Sequence, residues 1–250
     1  MHPIAMLPKT TQIEMFNWGI TDYNPDHPIR EAIQAINWVN LCHRASSLNN
    51  GLPCKPLSKT TNGLHNLVRI LQFSDNTRWI ARIHLRRSPT DSAKLRAEVD
   101  VMQLIKDQCS LPVPQVFAYE VDENNPISAP FILMEYLLGN TAMDAAGGYE
   151  VHKGQIPLAH RQNFYRSVAE CHVQIAALRF PKIGIIFRSE NGQYDIGPFP
   201  DIGGPFSSAT SFFEAWGKHA KFPPGKDRIL ELMRGGPATQ VLLAINNFPS

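Results

Sequence analysis

NGLHNLVRILQFSDNTRWIARIHL, residues 62–85, decides how this chain folds. Two runs rich in Leu, Val, Ile, Phe and Trp flank the turn-forming group Ser74, Asp75, Asn76 and Thr77, which is the pattern of a β-hairpin. Gly63 opens the first run, where it lets the backbone turn tightly and approach a ligand closely. In the second run a single cation, Arg82, interrupts Trp79, Ala81, Ile83 and Leu85. Because strand side chains alternate, it points away from those four. A glycine turn, a hairpin and a strand cation together suit a cover over phosphates, with the arginine reaching toward them. On these residues alone an edge hairpin with a solvated arginine is the simpler reading, and the flanking sequence weighs between the two.

The chain has 250 residues, enough for one domain or two lobes with a sizeable core. Hydrophobic residues make up 43% and charged ones 18%, which argues against wholesale disorder. A formal net charge of +2, with no block of like charges, gives no electrostatic reason to expect nucleic acid. The first ten residues, MHPIAMLPKT, carry neither a basic start nor an apolar run of signal-peptide length. No later apolar stretch approaches the roughly 18 residues that span a bilayer, so a cytoplasmic protein with no membrane partner is expected. Cys42, Cys54, Cys109 and Cys171 form no C-x-x-C pair and no His/Cys cluster, which argues against zinc or a disulfide framework and leaves buried or idle thiols.

In chain order, residues 1–56 read as an irregular leader followed by a helix. Asp26 is placed to cap it, Pro28 suits its first turn, and Ile29, Ala32, Ile33, Ile36 and Val39 recur at helical spacing. SSLNNGLPCKPLSKTT, residues 46–61, reads as a loop into the hairpin. After it, RRSPTDS breaks the strand and offers Thr90 or Asp91 as the cap of a helix on which Leu95, Val99, Met102 and Ile105 share a stripe. Glu98 lies on the margin of that stripe, from which a carboxylate can reach a cation on an adjacent sheet, and the candidate is Arg82. A solvated Glu98 accompanied by Arg96 and Asp100 fits the same pattern. The prolines of CSLPVP end the helix. QVFAYEVD and FILMEYLLG follow as strands joined by ENNPISAP, and Gly139 after the second strand lets the chain swing into another lobe.

This order of hairpin with glycine and cation, helix with glutamate, two strands and a glycine exit resembles the small lobe of the protein-kinase-like fold. Its details are most similar to the aminoglycoside phosphotransferase and choline kinase-like family, especially its fungal branch. The resemblance implies that Gly63 and Asn66 sit in the nucleotide-covering loop and that Arg82 of WIARI takes the place of the phosphate-contacting lysine. It implies that Glu98 of RAEVDVM pairs with that cation, and that the Glu135 carbonyl and Leu137 amide of FILMEYLLG bind adenine. A salt bridge between Arg82 and Glu98 is therefore expected.

The second half continues with an amphipathic helix over residues 161–178, built on Phe164, Val168, Cys171, Ile175 and Leu178 with His172 beside the stripe. A short hairpin turning at Glu190, Asn191 and Gly192 comes next, followed by helices in SATSFFEAW, KDRILELM and ATQVLLAI. The fold class expected is α+β, a kinase-like small antiparallel-sheet lobe over residues 57–138 with an incomplete helical lobe over residues 139–250. The family supplies its catalytic aspartate from H-G-D-x-x-x-x-N and its magnesium ligands from a following acidic motif, and neither sequence occurs among these residues. Asp201-Ile202-Gly203 looks like a metal triplet but reads as an ordinary turn, and Asp195 and Asp227 lack the flanking His and Asn. No catalytic or metal residue is assigned; a truncated gene model, a splice form and a degenerate paralogue all fit. The resemblance implies a phosphotransferase acting on a small-molecule acceptor, inactive over these residues alone, with ATP bound weakly and without magnesium. The alternative is a noncatalytic nucleotide-binding or interaction module, and a structural protein follows if Arg82 and Glu98 fail to meet.

Overall fold

The computed structural model describes residues 28–63, 65–85, 90–139, 155–219, 226–232 and 236–246. They form two compact units: one runs to Phe180 and takes in Ile186–Asp195, and the other holds Pro181–Ile185 and everything from Ile196.

The first unit is built on a five-stranded antiparallel sheet of order β1-β2-β3-β5-β4. Its strands are β1 (Cys54–Asn62), β2 (Asn66–Phe73), β3 (Arg78–His84), β4 (Val116–Glu120) and β5 (Phe131–Glu135). The expected hairpin is β2 and β3. Its turn is closed by Phe73 N–H donating to Thr77 O at 2.8 Å, while Asn76 takes a φ of 67°. Asp75 accepts from both the backbone N–H and the hydroxyl of Thr77, which holds its carboxyl below the usual range.

Residues 46–61 depart from their reading as a loop, because β1 occupies the second half of them. Lys, Ser, Thr and Pro disguise it, and an edge strand tolerates them: β1 pairs only with β2, so Pro56 removes no second ladder bond. The ladder shifts between Pro56 and Thr60, and Arg69 Nε fills the gap by donating to Leu57 O at 2.6 Å.

The single helix expected before the sheet is instead two, α1 (Pro28–Ala35) and α2 (Trp38–Leu48). Asn37 breaks it with ψ 84° and caps α2 by accepting from Asn40 N–H at 3.0 Å. The break re-aims the stripe, so Val39 is 64% exposed while Leu41 and Ala45 are fully buried. Asp26 and His27 lie outside the described residues. Leu41, Cys42 and Ala45 pack with Leu67, Leu71, Trp79, Ala81, Ile83, Phe131 and Leu133, so α2 covers one face of the sheet. The same packing brings together two thiols that are twelve residues apart: Cys54 Sγ donates to Cys42 O at 3.2 Å, and burial with Cys54 nearby pushes the Cys42 thiol up to about 12. The cysteines are free.

The opposite face receives α3 (Asp91–Gln108) through Leu95 and Val99 against Ile132, with Met134 and Tyr119 beside them. Thr90 occupies the N-cap position without a side-chain cap bond, and the helix ends at Cys109 as the prolines demand. Helix α4 (Leu158–Ala177) forms where the amphipathic pattern places it, yet buries no residue; Tyr165 and Val173 are 59% and 69% exposed. Gln174 ties it to the end of α3, accepting from Ser110 N–H at 3.0 Å.

The expected second hairpin is β6 (Ile185–Arg188) with β7 (Tyr194–Gly197). Helices α5 (Ala209–His219), α6 (Lys226–Leu232) and α7 (Ala238–Asn246) follow in the second unit, where Phe199, Phe206 and Phe212 cluster at ring separations of 5.6 and 5.8 Å. No described helix is long and apolar enough to cross a membrane.

Because Leu41 is fully buried and Val39 faces solvent, Leu41→Ala is expected to cost about 2–5 kcal/mol and Val39→Ala within about 0.5 kcal/mol. Urea unfolding of the two variants checks this, and equal losses would restore the single-helix stripe.

Candidate functional site

The pleat of β3 sends Trp79, Ala81 and Ile83 toward α2 and leaves Ile80, Arg82 and His84 on the face that meets α3. Arg82 Nη1 donates to Glu98 Oε1 of α3, the ion pair that the charges predict. The two side chains are 23% and 34% exposed, so the pair is neither dry nor freely solvated. Asn66 stands on the adjacent strand, two ladder positions from Arg82's partner Val68 and directly opposite His84. The orientation of the Asn66 amide is assigned from its partners, since the reverse one, with the oxygen on His84, sets the NH₂ against guanidinium donors. With its oxygen toward Arg82 it accepts from Nη2 at 2.7 Å and Nε at 3.3 Å, and its nitrogen donates to His84 Nδ1 at 3.2 Å. These contacts leave Arg82 two of its five N–H directions.

Gly63 sits between β1 and β2, with its N–H donating to Asn66 O at 3.0 Å. Its backbone is not in the left-handed region, and an added Cβ would meet nothing within 4 Å. The fold itself therefore does not demand glycine there, contrary to the tight-turn reading; the open space is what a closely approaching ligand would use. Gly63, Asn66, Arg82 and Glu98 thus form one connected group.

Glu135 and Leu137 lie elsewhere. Arg82 pairs with Ile132 in the ladder and Trp79 with Glu135, which sets Glu135 three residues, about 10 Å, along β5 from Arg82. The Glu135 carboxylate accepts from Gln115 N–H at 3.0 Å and lies 3.7 Å from Lys106 Nζ, and its own N–H donates to Gln115 O at 2.8 Å. Leu137, just past the strand, is 41% exposed. A cavity of about 630 Å³ opens here, walled by Trp79 stacked on Phe117 at 3.8 Å, with Arg78, Gln115, Glu135 and Tyr136 around it. Its aromatic wall belongs to the Trp79 face, away from Arg82.

In the sequence His84 is not singled out and Asp91 reads only as a candidate helix cap, although the signal for His84 is present: residue 84 is two beyond residue 82 and so shares its face. His84 Nε2 lies 3.8 Å from Asp91 Oδ2, and both side chains are largely buried. Burial is the main reason the imidazole's pKa lies below its usual value, with Asp91 and Glu98 opposing the shift. Asp100, a solvated neighbour of Glu98 by its pattern, is buried and accepts from Arg188 N–H at 3.1 Å. Two turns further on, Asp107 accepts from the Tyr194 hydroxyl at 2.6 Å, and burial together with that contact pushes the phenol up to about 12.

Asp201 occupies a tight exposed turn in which Phe199 and Gly203 exchange backbone hydrogen bonds at 2.8 and 3.0 Å and Gly203 takes a φ of 80°. Among the described residues no group of three His, Cys, Asp or Glu is arranged to hold a metal ion.

A family model described as phosphotransferase enzyme family matches residues 57–232. Over 166 residues the chain is 26% identical to the protein named altered inheritance of mitochondria protein 9, mitochondrial, of Meyerozyma guilliermondii, covering 64% of this chain and 26% of that protein. The protein of the same name from Candida glabrata is 28% identical over 149 residues, covering 53% of this chain and 23% of its own length. A subtelomeric hrmA-associated cluster protein of Aspergillus fumigatus is 27% identical over 138 residues, covering 55% of this chain and 26% of that protein. The chain thus spans about a quarter of the length of the curated relatives it matches.

A double-mutant cycle with Arg82→Met and Glu98→Gln is expected to return a coupling of about 1–2 kcal/mol, in the range for directly contacting partners. Additive losses on denaturant unfolding would show that the pair contributes nothing to the fold.

Proposed function

The chain belongs to the phosphotransferase enzyme family, and from that premise we propose that residues 57–139 hold the nucleotide side of an ATP-dependent phosphate transfer to a small-molecule hydroxyl. The observation that carries this is Arg82, fixed by Glu98 and Asn66 and still with N–H groups to offer. Bound ATP would supply the γ-phosphate. Arg82 would neutralise phosphate charge, and because two neighbours already hold its guanidinium, little side-chain freedom is lost when the ligand arrives. Gly63 leaves room for a phosphate to approach the backbone, and the backbone groups at Glu135 and Leu137 would receive the adenine. The described carboxylates do not converge as magnesium ligands, so no step is routed through the metal.

No described residue of this site takes the part of a base toward an acceptor hydroxyl, and H-G-D-x-x-x-x-N is absent from the 250 residues. We therefore read these residues as binding nucleotide without transferring phosphate. The same observation favours, as a second reading, a noncatalytic nucleotide-binding or protein-interaction module. Location is part of the proposal as well: the sequence points to the cytoplasm, the relatives named mitochondrial point to that organelle, and a fluorescent fusion separates them.

Calorimetric titration of ATP into the chain is expected to show weak binding that changes little when magnesium is removed and that falls about tenfold or more in Arg82→Ala, as losing a charge-assisted contact implies. ATP turnover against aminoglycosides, choline and simple sugars is expected to stay at background. Tight, strictly magnesium-dependent binding would overturn the reading and return Asp195 and Asp201 to consideration as metal ligands.

A further inference from the structure

Asn66 touches two groups that make opposite demands on its amide. A guanidinium has donors and no acceptor, so Asn66 can satisfy Arg82 only by turning its oxygen toward Nη2 and Nε, at 2.7 and 3.3 Å. Its NH₂ then faces His84 Nδ1 at 3.2 Å, which must present a lone pair. The ring proton consequently sits on Nε2, the nitrogen turned toward Asp91 Oδ2 at 3.8 Å. His84 is held in place independently of this contact: its backbone N–H donates to Pro130 O at 3.0 Å, and the Asn66–His84 ladder pair fixes the spacing of the two residues.

We propose that His84 is a positioning residue: as a neutral Nε2–H imidazole it locks the Asn66 amide in the orientation that holds Arg82, and a proton on Nδ1 releases that lock. With Nδ1 protonated, two donors face each other across 3.2 Å. Asn66 can relieve them by turning its oxygen to His84, but its NH₂ then meets the guanidinium. In either arrangement a donor opposes a donor, and Arg82 is left with Glu98 as its principal restraint. The charged groups around the ring divide. Asp91 and Glu98 of α3 favour the proton, while Arg82 of β3 and His65 before β2 oppose it. Lys94 of α3 lies 3.7 Å from Asp91 and partly offsets that carboxylate. Burial outweighs them and holds the imidazole below its usual value, so the lock is closed at neutral pH and opens on acidification. The consequence for ligand binding rests on the reading of Arg82 as the phosphate contact; the lock itself does not.

The test is an NMR titration of the 250-residue chain between about pH 8 and about pH 5, following the Asn66 side-chain amide, Arg82 Nε–H and the His84 ring. ATP affinity is measured by calorimetry at the same points. The three side chains are expected to move with one midpoint below the ordinary histidine value of about 6.5, and ATP binding to weaken several-fold across it. In Asn66→Asp the carboxylate accepts from Arg82 and from a protonated ring at once, so no amide has to turn. The His84 midpoint is then expected to rise by about a unit or more, and the pH dependence of Arg82 and of ATP binding to flatten. Asn66 and Arg82 signals that ignore the His84 titration overturn the proposal, and so does an Asn66→Asp profile identical to the wild type. If the side chains follow His84 while ATP affinity stays flat with pH, the lock stands and the phosphate reading of Arg82 falls. The wild-type titration decides even where the variant fails to fold.

Discussion

The two-sidedness of β3 is the constraint on which the rest of the first unit depends. Buried on both faces, this strand must give α2 an apolar surface and give α3 a surface that carries Arg82 and His84. The alternation of strand side chains allows both at once, but only in one register, because a slip of a single residue would turn Trp79 and Ile83 toward α3 and drive Arg82 into the core beneath α2. Desolvating an unpaired guanidinium there would cost several kcal/mol or more, so the apolar pattern and the charge select the same register.

Given that register, the placement of α3 follows. Its apolar contact with the sheet is modest, centred on Leu95 and Val99 against Ile132, and such a contact leaves a helix some freedom to slide or roll. Polar ties remove that freedom along its length. Asp91 faces His84 near the first turn, Glu98 meets Arg82 in the middle, Asp100 takes the backbone N–H of Arg188, and Asp107 takes the hydroxyl of Tyr194. Two of these anchors belong to the sheet and two to the β6–β7 hairpin. The ion pair is thus the central member of a set, and a charge pair held this way is better oriented than its partial exposure alone would give.

The same layering separates two environments at the end of the sheet. Arg82, Asn66, His84 and Glu98 form a polar group beneath α3, whereas the cavity beside Glu135 is walled by the Trp79 and Phe117 rings of the other face. A ligand that engaged Arg82 and also the backbone at Glu135 and Leu137 would have to run along the strands for about 10 Å, the distance set by three residues of β5. An extended nucleotide has that reach, which is why the two groups of residues are compatible with one ligand although they are not in contact.

By itself the sequence determined what depends on local periodicity and on turn chemistry. Asp75 and Asn76 specify the β2–β3 turn through their own hydrogen bonds and a positive φ, the prolines after Cys109 end α3, and the alternation around Arg82 gives its side of the strand. The meeting of Arg82 with Glu98 was legible too, since a cation inside an apolar strand and a carboxylate on the margin of a helix stripe can satisfy each other. Tertiary structure alone decided the rest. β1 is a strand because β2 offers it a free edge, a fact its Lys, Ser, Thr and Pro cannot announce. The break at Asn37 depends on a carbonyl 90 residues away, Ile127 O, which accepts the Asn37 N–H at 2.9 Å. The orientation of Asn66, and with it the part given to His84, depends on Asn66 of β2 meeting Arg82 and His84 of β3 beside Glu98 and Asp91 of α3, where the donors of one leave a single choice to the next.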